Sequence, residues 1–200
     1  IGQGYMLASP LQLAVMTARI ATGRNVTPRL VKSVDGIEEP SGAGESMGLN
    51  ENNLRKMRRA MYDVVNDRRG TGYGSRIITE GMRMAGKSGT SQVRNITAAE
   101  RARGVVNNND LPWERRDHAL FVSFAPMENP KYAVSVIVEH GGGGSSAAAP
   151  IARDVTLQAL YGGPPPLDAY PSKDRGRIKA QQEELQAVRP LADLGGSDQA

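Results

Sequence analysis

Lys87-Ser88-Gly89-Thr90 sets a cation, two hydroxyls and a glycine in one run, just after the apolar-flanked Arg83-Met84-Ala85-Gly86. Acyl transfer at a peptide end that carries a carboxylate needs four things: a nucleophile, proton-transfer groups, an oxyanion hole and something to hold the carboxylate. The tetrapeptide can supply the last two. Its bland alternative is a surface lysine at a strand end followed by a Ser-Gly turn. Other chemistries find less support. The chain has no cysteine, which excludes a catalytic thiol, a disulfide and any thiolate metal site. His118 and His140, the only histidines, stand 22 residues apart with no acidic pair at a ligand spacing, so no metal site is expected. Gly141 to Gly144 precede a helical pattern as a phosphate cradle would, yet the lysine of a Walker loop does not follow them. They read as a strand-to-helix turn.

The elements around the tetrapeptide can be read from pattern. Met82 to Gln92 forms a strand, in which glycine marks close backbone approach by a ligand. Leu120 to Ala125 and Tyr132 to Glu139 form two more, joined as a hairpin through Met127-Glu128-Asn129-Pro130. Ser9, Pro10 and Gln12 open a buried helix over 10–22 with a capping box, and Gly23 closes it; Leu13, Met16 and Ile20 recur at helical spacing. Asn50 caps a second helix ending near Asn66, with Leu54, Met57, Met61 and Val65 toward the core. Ala147 to Leu160 forms a third, stopped by Gly162-Gly163-Pro164-Pro165-Pro166. Residues 24–49 are turn-rich, through Pro28, Gly36, Pro40, Gly42, Gly44 and Gly48, with a short strand within Arg29 to Val34. Arg94 to Asp117 makes a loop or short helix beside the motif strand. Its Arg101, Arg103, Arg115 and Arg116 are solvated charges or contacts for a partner, and Trp113 and Tyr5 are either packing residues or platforms for a ligand. Gly70-Thr71-Gly72-Tyr73-Gly74 is a turn ahead of the strand, shaping the site from behind. This order predicts an α+β fold, an antiparallel sheet covered by helices. The expected domain is 1–161, followed by a Pro-rich, charged and disordered tail over 162–200 with a short helix from Arg177 to Val188.

Composition allows a piece of a globular domain: 39% apolar and 23% charged are ordinary values. The net charge of +4 is modest, and Arg55-Lys56 and Arg58-Arg59 share a helix with apolar positions, so a solvated face is expected rather than a nucleic-acid surface. No run approaches the roughly 20 apolar residues of a membrane-spanning helix. Because the chain starts at Ile1 inside a patterned segment, it reads as a fragment, with any signal or membrane anchor outside it.

The surroundings of the tetrapeptide make it specific. Ile1-Gly2-Gln3-Gly4-Tyr5 leading into Ser9-Pro10-Leu11-Gln12-Leu13-Ala14, the Gly70-Thr71-Gly72 turn, Phe121-Val122-Ser123-Phe124-Ala125-Pro126 and Val138-Glu139-His140-Gly141-Gly142-Gly143-Gly144 occur in one order and spacing. Together they resemble the C-terminal part of class B penicillin-binding proteins, of the rod-elongation type, over roughly residues 1 to 161. In that superfamily a Ser-x-x-Lys carries the nucleophile, a Ser-x-Asn its proton-transfer partners, and a Lys-(Ser/Thr)-Gly strand the opposite wall. Neither of the first two occurs here; the nearest misses are Ser91-Gln92-Val93-Arg94 and Ser172-Lys173.

The resemblance implies the C-terminal portion of a transpeptidase domain with the penicillin-binding-protein and serine β-lactamase-like fold. It assigns Lys87 to positive potential near the substrate carboxylate and to a hydrogen bond with the Ser-x-Asn serine. It also brings the Ser88 and Thr90 hydroxyls to that carboxylate, with Gly89 between them, and gives the Thr90 N–H to the oxyanion hole. The implied substrates are stem peptides ending in D-alanyl-D-alanine, with β-lactams as acylating mimics. The implied partners are elongation proteins such as RodA and MreC, and the implied place is the periplasmic face of the bacterial inner membrane. No cofactor is implied. A non-catalytic scaffold module, and a D,D-carboxypeptidase or β-lactamase of the same superfamily, remain open alternatives.

Overall fold

The computed structural model describes residues 7–38 and 44–192, with side chains to residue 187. The expected features at Ile1 to Tyr5, and at Pro40 and Gly42, lie outside the described residues. Helix α1 (Pro10–Thr22) begins with the full capping box: Ser9 N–H donates to Gln12 Oε1 at 2.7 Å and Gln12 N–H to Ser9 Oγ at 3.2 Å. Gly23, at φ 71°, ends it. The helix is less buried than its pattern predicts. Thr17 and Ala21 are buried, while Leu11 and Met16 are exposed. The seat on the sheet is taken by the two small side chains four residues apart, with Leu13 and Ile20 packed beside them, so Met16 falls off the stripe.

A two-strand ribbon follows, β1 (Ser33–Val34) against β2 (Ile37–Glu38), exposed throughout. Helix α2 (Glu51–Asn66) starts on the Asn50 side chain, whose Oδ1 accepts from the N–H groups of Asn52 and Asn53. Leu54, Met61 and Val65 are buried, but Met57 is exposed, which corrects the expected core stripe. Arg58 takes the inward place instead, its Nε donating to Ile20 O at 2.8 Å and tying α2 to the end of α1.

The sheet has three antiparallel strands in the order β3 (Ala85–Ser91), β4 (His118–Ala125), β5 (Tyr132–Val138). Between β4 and β5 the chain turns through a cis Ala125–Pro126 bond. Alternation sorts the side chains onto two faces. On one, Ala119, Phe121, Val134, Val136 and Val138 meet the alanine-rich helix α4 (Ala149–Tyr161) through Ala149, Ala152 and Leu157. On the other, Ala85, Val122 and Phe124 meet Ala21 of α1 and Met61 of α2. The fold is α+β, an antiparallel sheet covered by helices. Between β3 and β4 lies a short helix, α3 (Ala98–Arg103), capped by Thr97.

The expectation of a disordered tail from 162 onward does not describe residues 164–187. Pro165, Ala169, Tyr170, Pro171 and Ile178 are buried, and helix α5 (Arg175–Ala192) extends the expected 177–188 helix at both ends. Arg153 of α4, 0% exposed, pairs with Asp154 at 2.8 Å and with Asp174 of the C-terminal segment, and lies 5.0 Å from the Tyr170 ring. Burial, with Asp154 nearby, pushes the Tyr170 hydroxyl up to about 12. Composition misled because Leu167, Tyr170 and Ile178 are used in packing, and one of the segment's charges neutralises a buried arginine.

Candidate active site

Strand β3 carries the tetrapeptide in register with β4, pairing Lys87 with Val122, Ser88 with Phe121, Gly89 with Leu120 and Thr90 with Ala119. Among the described residues β3 is bonded to a neighbouring strand on one side only. The pleat sends Ser88 and Thr90 to the α4 face and Lys87 to the other. Lys87 is exposed, and its Nζ donates to the Ser88 carbonyl at 2.7 Å. Ser88, Gly89 and Thr90 are half-buried. The Ser88 hydroxyl lies 3.1 Å from that of Thr71, so the two share a hydrogen bond.

Glycines explain why these groups sit where they do. At Gly86 a Cβ would stand 2.7 Å from Phe121 Cε1, so the glycine admits that buried ring beneath the strand. This corrects the sequence reading for Gly86: the close approach is made by the protein's own core and not by a ligand. At Gly144 a Cβ would stand 2.2 Å from Leu120 O and 2.4 Å from Gly89 O, so the glycine turn rests directly on the backbone of the motif strand. Gly142, at φ 76°, donates its N–H to Asp117 O at 2.8 Å. One wide helical turn, Gly144–Ala148, then leads into α4.

The Gly70-Thr71-Gly72 turn is seated on the end of α2. Gly72 N–H donates to Val64 O at 2.9 Å, and a Cβ on Gly70 would meet the same oxygen at 2.2 Å. This seating holds the exposed Thr71 against Ser88. The sequence reading gave the turn a supporting role and missed the Thr71 hydroxyl. The available signal was one hydroxyl residue clamped between two glycines ahead of the strand.

The long β3–β4 segment is pinned at two points. Asp117 N–H donates to Asn108 Oδ1 at 2.8 Å, and Asn108 Nδ2 returns to Asp117 Oδ2 at 3.1 Å. Arg94 grips Glu100 with two bonds of 2.6 and 2.7 Å, which together with the Val106 N–H hold the Glu100 carboxyl down at about 2, from an ordinary 4.5. A depressed carboxylate lends stability that is present above its ordinary value and lost as pH falls through the folded value. We therefore expect the loop's tether to hold above about pH 4.5 and to release toward pH 2. NMR titration of Glu100 checks this: the carboxyl should titrate far below the ordinary 4.5, and Arg94→Ala should return it toward that value.

Trp113 packs on His140 with ring centroids 4.4 Å apart, and His118 Nδ1 accepts the His140 N–H at 2.9 Å. Both histidines are thus engaged in loop packing. Of the four loop arginines, Arg103 and Arg116 donate to backbone carbonyls of Ala99 and Leu111, while Arg101 and Arg115 are exposed. Clefts open elsewhere among the described residues. One, of about 550 Å³, lies at the start of β3 beside Tyr62, Arg83 and Lys131; another, of about 820 Å³, lies between α4 and α5. Neither includes residues 87–90. No helix among the described residues is long and apolar enough to cross a membrane.

Residues 1–157 match the penicillin binding protein transpeptidase domain family. The chain is 37% identical over 195 residues to the peptidoglycan D,D-transpeptidase MrdA of Haemophilus influenzae, covering 92% of this chain and 29% of that protein. It superimposes on PBP2 of Pseudomonas aeruginosa, solved in complex with WCK 5153, with TM-score 0.59 and 37% identity over 80% of this chain and 31% of that one. For PBP2 of Helicobacter pylori, solved in complex with MreC, the TM-score is 0.61 and the identity 33%, over 81% of this chain and 26% of that one. The chain spans less than a third of the length of each of these relatives.

Proposed function

Because the chain belongs to the penicillin-binding-protein transpeptidase family, we propose that it forms the C-terminal wall of a peptidoglycan D,D-transpeptidase site, binding the substrate's terminal carboxylate and the developing oxyanion along β3. The observation that carries this reading is the Lys87–Thr90 run on β3, which has a strand on one side only among the described residues, with the Ser88 hydroxyl already held by Thr71.

A serine from outside these 200 residues attacks the carbonyl of the penultimate D-alanine, since no Ser-x-x-Lys lies within them. The carbonyl oxygen takes up negative charge and receives the Thr90 N–H. Ser88 and Thr90 hydroxyls bind the terminal carboxylate, each such bond to a charged group contributing about 1.5–3 kcal/mol. Lys87 exchanges its bond to the Ser88 carbonyl for the Ser-x-Asn serine and adds positive potential. As the tetrahedral intermediate collapses, the peptide C–N bond breaks and D-alanine leaves with a proton. An amine on a neighbouring stem peptide then takes the acyl group and frees the serine. The acyl chemistry needs no cofactor.

In this reading β-lactams acylate the same serine, and the site works at the periplasmic face of the inner membrane, the membrane reached through an anchor outside these residues. The H. pylori complex supports an MreC-type scaffold as a partner. RodA enters through the family resemblance alone.

Intact-mass analysis with labelled penicillin tests the proposal. The 200-residue chain alone should take up no label, whereas the protein carrying it at the length of its relatives should gain one serine adduct outside this segment. A stoichiometric adduct on a serine of this chain would overturn the division of roles. No adduct on the longer protein would favour the non-catalytic scaffold.

A further inference from the structure

The family match ends at residue 157, yet the chain beyond it reaches back to the turn that holds Ser88. Ile78 N–H donates to Ala169 O at 2.9 Å, joining the stretch after that turn to the C-terminal segment. The Lys173 ammonium lies 3.0 Å from where a Cβ on Gly74 would stand, so a side chain of the segment reaches over the turn. Lys173 belongs to the one-turn helix Ser172–Asp174, and its neighbour Asp174 is bound to buried Arg153. Ile178 and Tyr170 fill the core behind it.

The turn is thus held from two sides. On one, α2 receives it through Gly72 N–H and Val64 O. On the other stands a segment beyond the matched domain but within the span aligned with MrdA of Haemophilus influenzae. Thr71 lies between the two glycines seated on α2, three residues before Gly74, with its hydroxyl on Ser88.

We infer that residues 164–187 are a positioning element for the carboxylate-binding side of the site: pinned by Asp174 to Arg153, they set the Gly70–Ser75 turn and through Thr71 the Ser88 hydroxyl. This rests on the transpeptidase reading above. The segment contributes no residue to β3, so its effect on the reaction passes through the turn. It acts on recognition of a terminal carboxylate more than on the carbonyl that reacts, because the Thr71–Ser88 pair lies on the side chains and the oxyanion donor is a backbone group.

The test uses the full-length protein and the variants Asp174→Asn, Asp174→Glu and Ile178→Ala, none of which alters a site residue. Acylation rate constants are measured well below every melting temperature, with a penicillin and with its carboxylate masked as an amide. Hydrogen exchange is followed at residues 70–79. Asp174→Asn and Ile178→Ala should lose about tenfold on the free-carboxylate penicillin, since misplacement of an orienting group by 1 Å can cost up to a hundredfold. The masked compound should change little, amides 70–79 should exchange faster, and Asp174→Glu should restore both readouts.

Equal proportional losses on the two compounds would reduce the segment to a stabilising role and overturn the inference. So would unchanged rates alongside faster exchange. Failure of the parent protein to acylate with either compound would instead overturn the transpeptidase reading, and this inference with it.

Discussion

Lys87→Ala lowers the acylation rate constant of the full-length protein by about 100- to 1,000-fold, the range seen when one preorganised electrostatic donor is removed from an acyl-transfer site. The melting temperature stays where it was. Lys87 is exposed and its hydrogen bond goes to the next residue's carbonyl, so alanine leaves no buried group without a partner. Surface changes of this kind alter stability by about 0.5 kcal/mol or less. Stopped-flow acylation and thermal melting separate the two quantities. Near-normal acylation with a normal melt would return Lys87 to the role of an ordinary surface lysine. A large fall in melting temperature would mean that the loss of rate reports folding.

Thr90→Val splits one residue into its two proposed functions. Valine keeps the branched shape and the N–H, and is at ease in a strand, but lacks the hydroxyl. Thr90 is half-buried opposite Ala119, a strand position that suits a branched side chain. The variant should lose about tenfold or more on substrates with a free carboxylate, one lost charge-assisted hydrogen bond contributing about 1.5–3 kcal/mol. Analogues with the carboxylate masked as an amide should react much as they do with the parent protein, because a lost oxyanion donor would cost them about 100- to 1,000-fold and the N–H is retained. Acylation rate constants for both substrate types in both proteins decide it. Equal proportional losses would sink the division of labour, and no loss on either would remove the hydroxyl from the site.

Local signals in the sequence carried most of the fold. Ser9 and Gln12, Asn50, Gly23 and Gly162 mark helix ends by chemistry that acts over three or four residues, and all four ends stand where their patterns put them. The three strands of the main sheet were legible too, β3 even with its two glycines, whereas β2 of the small ribbon was not. What failed was long-range. Whether Met57 or Arg58 points inward depends on the carbonyl of Ile20, 38 residues earlier, and no periodicity records that. The segment after Gly162 looked disordered because its composition is poor in large apolar residues, while its docking depends on Arg153 meeting Asp174 across 21 residues. At the site, the tetrapeptide was legible as a motif. The Thr71 hydroxyl was not, because its closeness to Ser88 arises only when the end of α2 and strand β3 come together.

The packing of Trp113 on His140 also gives the chain a built-in optical probe. Trp113 is the only tryptophan among its 200 residues, and it belongs to the loop whose far anchor, Asp117, holds the glycine turn resting on β3. Its indole is in contact with an imidazole on one side and water on the other. Any event that draws the loop away from the turn after β5, where His140 stands, would part the two rings, so the emission colour and quenching of a single native fluorophore would follow that motion in real time, with no label attached near the chemistry.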